Sequence, residues 1–382
     1  MDFALTEEQR LLRDEIIRFA RQELNDGAAE RDRAQTFPRE LWRRCGEMGL
    51  PGLPVPESLG GAGLDPLSCA IALEALGYGC TDGGLVFSIC AHVLSCVVPI
   101  WTHGTDDQKR RYLPALCSGE HIGVHAMTEP GSGSDAFALR TVATAVDGGY
   151  RLDGTKMFIS NGPVADIVVV FAMTDAAKGY HGGVTAFIVE KGTSGFSAST
   201  KIDKMGLRTS HLGELVFDGV FVPADAILGG VGGGSTVFTK SMDWERTCLF
   251  ASQVGTMERL LETSIEYART RRQFGQPIGK FQAVSHRLAD MKTNLEAARL
   301  LVYRAAWRLG RSRTVSLDAA IAKLFTSESL LQAALATVQV HGGYGYMEEY
   351  GVERTLRDAV GSTLYSGTSE MQRNIIAGWL GL

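Results

Sequence analysis

The chain has 382 residues, 45% hydrophobic and 21% charged, which suits two or three domains around a large core and excludes a disordered polypeptide. A formal net charge of −5, with no basic run longer than Lys109-Arg110-Arg111, leaves no electrostatic footprint for a nucleic-acid partner. The seven cysteines (45, 69, 80, 90, 96, 117 and 248) are odd in number and form no CxxC pair or zinc-type Cys/His spacing, so a secreted disulfide framework and a metal site are both disfavoured and a reducing cytoplasm fits.

The opening Met1 to Glu8 is acidic and reads as neither a signal nor a transit peptide. Residues 1–120 read as a helical domain. Thr6 with Gln9 and Thr105 with Gln108 make capping boxes, and Pro51, Pro54, Pro56, Gly60, Gly61 and Gly63 mark a loop between them. The most apolar stretch, Leu85 to Trp101, is interrupted by Ser88, His92, Ser95 and Pro99; it is too short to span a bilayer and reads as a buried helix.

Over residues 121–232 the pattern becomes strand-like and is punctuated by Asp147-Gly148-Gly149, Asp153-Gly154 and Asp218-Gly219. This predicts a middle antiparallel β domain. Helical periodicity returns over 233–382. Val284, Leu288, Met291, Leu295, Ala298, Val302, Ala305 and Leu309 form a seam in a stretch free of Gly and Pro, and Arg313 to Val340 is a second such stretch. The expected C-terminal unit is a helical bundle.

The fold class is therefore α+β, not the alternating pattern of a doubly wound sheet. Gly131, Gly133 and Ala136 mimic a dinucleotide fingerprint, but no strand-like run leads in and no clear helix follows. The 45 glycines, about 12% of the chain against a usual 7%, ask for a region where the backbone turns tightly or is approached closely.

Five segments in order carry a family resemblance. They are Ala126 to Asp135, Gly154 to Gly162, Arg271 to Gly275, Gln339 to Gly345 and Gly367 to Arg373. Together they resemble the FAD-dependent acyl-CoA dehydrogenases over essentially the whole chain. The resemblance implies an N-terminal helical domain, a middle β domain and a C-terminal four-helix bundle, with FAD between the last two. It also implies FAD contacts at His125, Met127, Thr128, Ser134, Phe158 and Ser160, with Thr368 and Glu370 completing the cradle. Arg271, Phe274, Gln339 and Gly343 match positions that reach the FAD of a neighbouring subunit, so a homo-oligomer, a tetramer in this family, is implied.

Dehydrogenating an acyl thioester needs a base for the Cα proton, donors on the thioester carbonyl and an acceptor for the β hydride. The family's usual base is a Glu at the second position of Tyr-Glu-Gly-Thr, where this chain has Tyr365-Ser366-Gly367-Thr368. A minority of the family carries the Glu on a bundle helix before an Arg, and Trp244-Glu245-Arg246 fits that site. The resemblance thus assigns Glu245 as base and the Ser366 backbone N–H as an oxyanion donor. It places Ser134, Asp243, Arg246 and Gly367 at the substrate. Glu370 is the rival carboxylate, and an exposed helix carboxylate paired with a nearby Arg is the plain alternative for Glu245.

Gly84 to His92, Ser241 to Glu245, Leu260 to Thr263 and Tyr365 to Thr368 resemble a narrower group, the dehydrogenases that oxidise prolyl groups on peptidyl carrier proteins. Arg246 departs from it, standing where those relatives carry Lys. The implied substrate is an acyl thioester on a carrier protein or on CoA, short or branched acyl-CoA being the alternative, and the electron acceptor is a flavoprotein or oxygen. A flavin monooxygenase on the same fold is the competing class, and Glu245 argues against it.

Overall fold

A computed structural model describes residues 4–312 and 314–382. Met1, Asp2 and Phe3 of the acidic opening, and Arg313 at the head of the second long apolar stretch, lie outside the described residues. Helices α1 (Glu7–Glu23), α2 (Ala28–Ala34), α3 (Arg39–Glu47), α4 (Pro66–Gly79), α5 (Gly83–His92), α6 (Val98–His103) and α7 (Asp106–Cys117) come first. Both capping boxes form: Thr6 and Thr105 each accept from the amide three residues on, and Gln9 and Gln108 reach back to the cap amide.

The apolar run becomes α5 and α6, joined by a π-turn at Val93–Val97. Its 18-residue window has mean hydropathy 2.0 and is 83% buried inside the protein, as expected of a core helix. His92 fixes it to the sheet. Its Nδ1 accepts from the Gly123 amide at 2.8 Å and its Nε2 lies 3.0 Å from the Leu116 carbonyl. Both roles need a neutral ring, and burial pushes its pKa down to about 4.

The middle region contains β1 (Gly123–Ala126), β2 (Val142–Val146), β3 (Gly149–Ser160), β4 (Ile167–Met173), the short α8 (Tyr180–Gly183), β5 (Val184–Glu190), β6 (Phe196–Ala198), β7 (Leu212–Pro223) and β8 (Ile227–Leu228). They form one sheet in the order β6-β7-β3-β2-β4-β5-β8, with β1 also on β4. The sheet is mixed, which corrects the antiparallel expectation: Gly123 to Ala126 run parallel to Ile167 to Val170. The chain leaves β1, builds the β2–β3 hairpin and returns along the same direction, and sequence periodicity carries no record of such a non-local pairing. A second correction concerns the Gly131 loop: β1 does lead into it, although no helix follows. β4 and β5 are apolar at nearly every position because both faces are covered: Ile167, Val169 and Phe171 face α6 and α7, and Val168, Val170 and Ala172 face the other way.

The C-terminal part has α9 (Gly234–Trp244), a second π-turn at Glu245–Leu249, α10 (Phe250–Thr270), the β9–β10 hairpin (Arg272–Gln273, Gln276–Pro277), α11 (Gln282–Leu309), α12 (Ser316–His341), α13 (Val352–Ser362) and α14 (Ser369–Trp379). The seam lies inward, with Met291, Leu295, Ala298, Val302 and Ala305 buried. This bundle shares its core with the N-terminal helices, since Ile16, Leu73, Leu76, Val254, Leu295 and Val302 belong to one cluster. α4 and α10 cross at bare glycine. A Cβ on Gly77 would lie 1.9 Å from the Ser252 carbonyl oxygen, and one on Gly255 2.0 Å from that of Glu74.

Candidate active site

The two π-turns face one another and carry the site's central contact. Glu245, the first residue of its π-turn, accepts one hydrogen bond from Ser95 Oγ in the other π-turn and a second from Ser366 Oγ in the loop before α14. Three segments far apart in sequence thus meet on one carboxylate. The side chain is half-buried, and among the described residues it makes no ion pair with any arginine, so the plain helix-surface pairing is not what the structure contains. Trp244 is 9% exposed and meets Trp101 edge to face at 6.1 Å, which supplies an apolar wall. Glu370, the rival carboxylate, is exposed in the first turn of α14 beside Arg373.

Arg246 points the other way. Its Nε donates to the Ser366 carbonyl at 3.0 Å, and Gln372 Nε2 donates to the carbonyls of Ser366 at 3.2 Å and Gly367 at 2.9 Å. Ser366 and Gly367 have φ of 57° and 87°, a left-handed pair that these two side chains pin. The Ser366 N–H makes no hydrogen bond among the described residues. Asp243 is 2% exposed and accepts from Ser316 Oγ at 2.7 Å; burial raises its pKa. Ser95 was the residue sequence reasoning missed. Its only signal was that of a hydroxyl inside an otherwise apolar run.

The loop after β1 is buckled from beneath. Glu129 accepts from the amides of Arg140 and Thr141, from Thr141 Oγ1, and from Lys156 Nζ at 2.8 Å. Lys156 Nζ also donates to the Met127 carbonyl at 3.0 Å, and the Met157 amide to that of Thr128 at 2.8 Å. Met127 is buried, Thr128 and Ser160 half-buried and Ser134 exposed. Phe158 stands 57% exposed at a φ of 58° inside a β3 irregularity. A Cβ on Gly131 or Gly133 would meet nothing within 4 Å.

This arrangement fits a planar, phosphorylated group: an exposed aromatic held off the strand, hydroxyls at Thr128, Ser134 and Ser160, and bare glycine backbone open to close approach. Arg271 lies over the Tyr344 ring at 5.5 Å, Phe274 is 93% exposed, and Gly343 has nothing within 4 Å of an added Cβ. Gln339 lines a groove with Arg287, Asp290 and Asn294. Among the described residues this second group shares no hydrogen bond, ion pair or ring contact with the Met127 to Ser160 group.

Comparisons with known proteins agree with the architecture. Models of the N-terminal, middle and C-terminal domains of acyl-CoA dehydrogenases match residues 6–120, 125–220 and 232–381. An L-prolyl-[peptidyl-carrier protein] dehydrogenase of Pseudomonas fluorescens (strain Pf-5) is 47% identical over 378 residues, covering 99% of each chain. The crystal structure of the prolyl acyl carrier protein oxidase AnaB is similar at a TM-score of 0.97 and 44% identity, covering 99% of this chain and 100% of its own. PigA with FAD and proline is similar at a TM-score of 0.98 and 40% identity, covering 100% of both. The chain belongs to the acyl-CoA dehydrogenase family.

Proposed function

We propose that this chain is an FAD-dependent dehydrogenase of acyl thioesters and that its substrate is a prolyl group tethered to a peptidyl carrier protein. The observation that carries the reading is the Glu245 carboxylate, held by Ser95 and Ser366 where a helix and the Ser366 loop converge. Glu245 takes the Cα proton. The Ser366 N–H donates to the thioester carbonyl, stabilising the charge that develops as the proton leaves. Arg246 and Gln372 hold the Ser366 and Gly367 carbonyls, and so fix the two peptide planes that follow the Ser366 N–H. Met127, Thr128, Ser134, Phe158, Ser160, Thr368 and Glu370 would hold FAD, which would supply the hydride acceptor for the substrate's Cβ.

The names of the relatives support the carrier-bound prolyl substrate. Arg271, Phe274, Gln339 and Gly343 sit apart from the rest of the site, which supports their reaching FAD in a neighbouring subunit of a homotetramer. Asp243 and Arg246 lie at the substrate end, and electrons pass on to a flavoprotein or oxygen.

The test is a panel of prolyl-carrier and acyl-CoA thioesters mixed anaerobically with the yellow protein, read by flavin bleaching and product mass. Prolyl-carrier thioester should bleach it fastest. Glu245→Gln should keep its flavin and lose bleaching by a factor of about 10² or more; full bleaching in the flavin-loaded variant would refute the assignment of the base. Preferential bleaching by butyryl-CoA would refute the carrier-bound substrate.

A further inference from the structure

One buried polar atom, on a ring that shares Ser95 with Glu245, has no partner among the described residues. His125, on β1, is clamped between Phe171, with ring centroids 4.8 Å apart, and Phe238, at 5.7 Å. Its Nδ1 lies 3.1 Å from the Ser95 carbonyl oxygen. A carbonyl can only accept, so Nδ1 carries the proton and Nε2 presents a lone pair. That Nε2 is buried and finds no hydrogen-bond partner among the described residues. Buried polar atoms are seldom left so.

The local sequence explains how Ser95 serves two masters. Pro99, four residues on, has no N–H to offer the Ser95 carbonyl. The π-turn at Val93–Val97 also breaks the regular helical pairing there. The carbonyl is thus free for His125 while the hydroxyl goes to Glu245. One residue positions both the base and the imidazole, and burial keeps that imidazole neutral although the Glu245 charge pulls the other way.

We propose that His125 Nε2 accepts a hydrogen bond from the ring N–H of an α-amino acyl thioester, so that the site selects substrates carrying nitrogen on the carbon that Glu245 deprotonates. The nitrogen and the departing proton are both bonded to Cα, so their acceptors must face one small volume. Ser95 ties Glu245 and His125 to that volume from one residue. No bond to His125 is made or broken; the proton of Cα still goes to Glu245 and the hydride of Cβ to FAD. A cationic ring amine would also lie near the Glu245 carboxylate, which favours it further. The inference rests on the prolyl reading above and deepens it.

The experiment compares prolyl and cyclopentanecarbonyl thioesters on the same carrier protein, the second being the same ring without N–H. Anaerobic flavin bleaching is measured for the wild-type holoenzyme, His125→Phe and His125→Asn, with flavin content read from the visible spectrum. The wild type should prefer the prolyl thioester. His125→Phe should lose roughly tenfold to a hundredfold more on it than on the carbocycle, the range for a hydrogen bond to a charged group. His125→Asn, which keeps an acceptor, should recover part of the preference. Equal losses on both thioesters, no loss on either, or loss of FAD from His125→Phe would overturn the inference and leave the prolyl reading standing. A wild type that bleaches with butyryl-CoA and with neither ring thioester would overturn both.

Discussion

Replacing Lys156 by Met tests whether the buckle under the loop proposed to hold the flavin does what its geometry requires. Lys156 is fully buried and Glu129 5% exposed, with Nζ and Oε1 2.8 Å apart. At an effective dielectric near 20 the direct attraction is about 6 kcal/mol, against which both groups have lost water. The two partners do not share that burden equally. Glu129 has three further donors and its pKa is held below the usual carboxylate range, whereas burial pushes Lys156 down to about 8. Removing one member of a buried pair costs about 3–5 kcal/mol, and the three remaining bonds to Glu129 place Lys156→Met near the lower end. Urea unfolding of Lys156→Met, Glu129→Gln and the double variant should therefore give a coupling of about 2 kcal/mol. Flavin per chain should fall in Lys156→Met before far-UV ellipticity does, because Nζ also holds the Met127 carbonyl. A cost below about 1 kcal/mol, an additive cycle, or undiminished flavin would refute the reasoning.

Three further outcomes are expected. His92 titrates at about 4 in the fold against about 6.5 unfolded, so the unfolded chain binds the extra proton between those values. Its contribution is complete above pH 6.5 and falls by about 3 kcal/mol as pH drops to 4; His92→Gln, which can both accept from Gly123 and donate to Leu116, should lose that much of the slope in urea titrations across the window. Gly343→Val should cost flavin before fold, since its Cβ meets nothing within 4 Å of the chain itself, and a fully yellow variant would contradict the shared-site reading. Gly77→Ala should lower stability by at least about 1–3 kcal/mol, because its methyl would stand 1.9 Å from the Ser252 oxygen; an unchanged denaturation midpoint would show that α4 and α10 can part freely.

Local signals were legible in the sequence and non-local ones were not. The capping boxes at Thr6 and Thr105 and the α11 seam each involve residues within a few turns, and each forms as read. The parallel pairing of β1 with β4 and the glycine crossing of α4 with α10 depend on segments about 40 and 180 residues apart, with no local pattern to betray them. Glu245 was reachable as a candidate because a resemblance pointed out what Ser366 lacks. Ser95 was not, since its partner is 150 residues away and its orientation depends on a π-turn that no propensity marks. Some of the glycine excess proves to be helix packing as at Gly77, alongside the hairpins and the open loop at Gly131 and Gly133.

The placement of the carboxylate follows from what the Ser366 loop must do. Two successive left-handed residues cost about 1–3 kcal/mol for the one that is not glycine. They are kept because Arg246 and Gln372 take their carbonyls. A Cβ on Gly367 would lie 2.8 Å from Gln372 Nε2, so that position is committed to glycine, while the loop's shape needs Ser366 only for its backbone and its hydroxyl serves Glu245. The residue 366 side chain is then free to change, provided something else brings a carboxylate to the same volume. An extra residue in a helical turn rotates every later side chain about the axis, and Glu245 opens such a turn. Ser95 lies in the middle of another, and the hydroxyl of Ser366 is short enough to close the third side. In the proposed mechanism the base leaves the loop without the loop losing its shape, and a chain with Ser at the usual position keeps a carboxylate in the same volume.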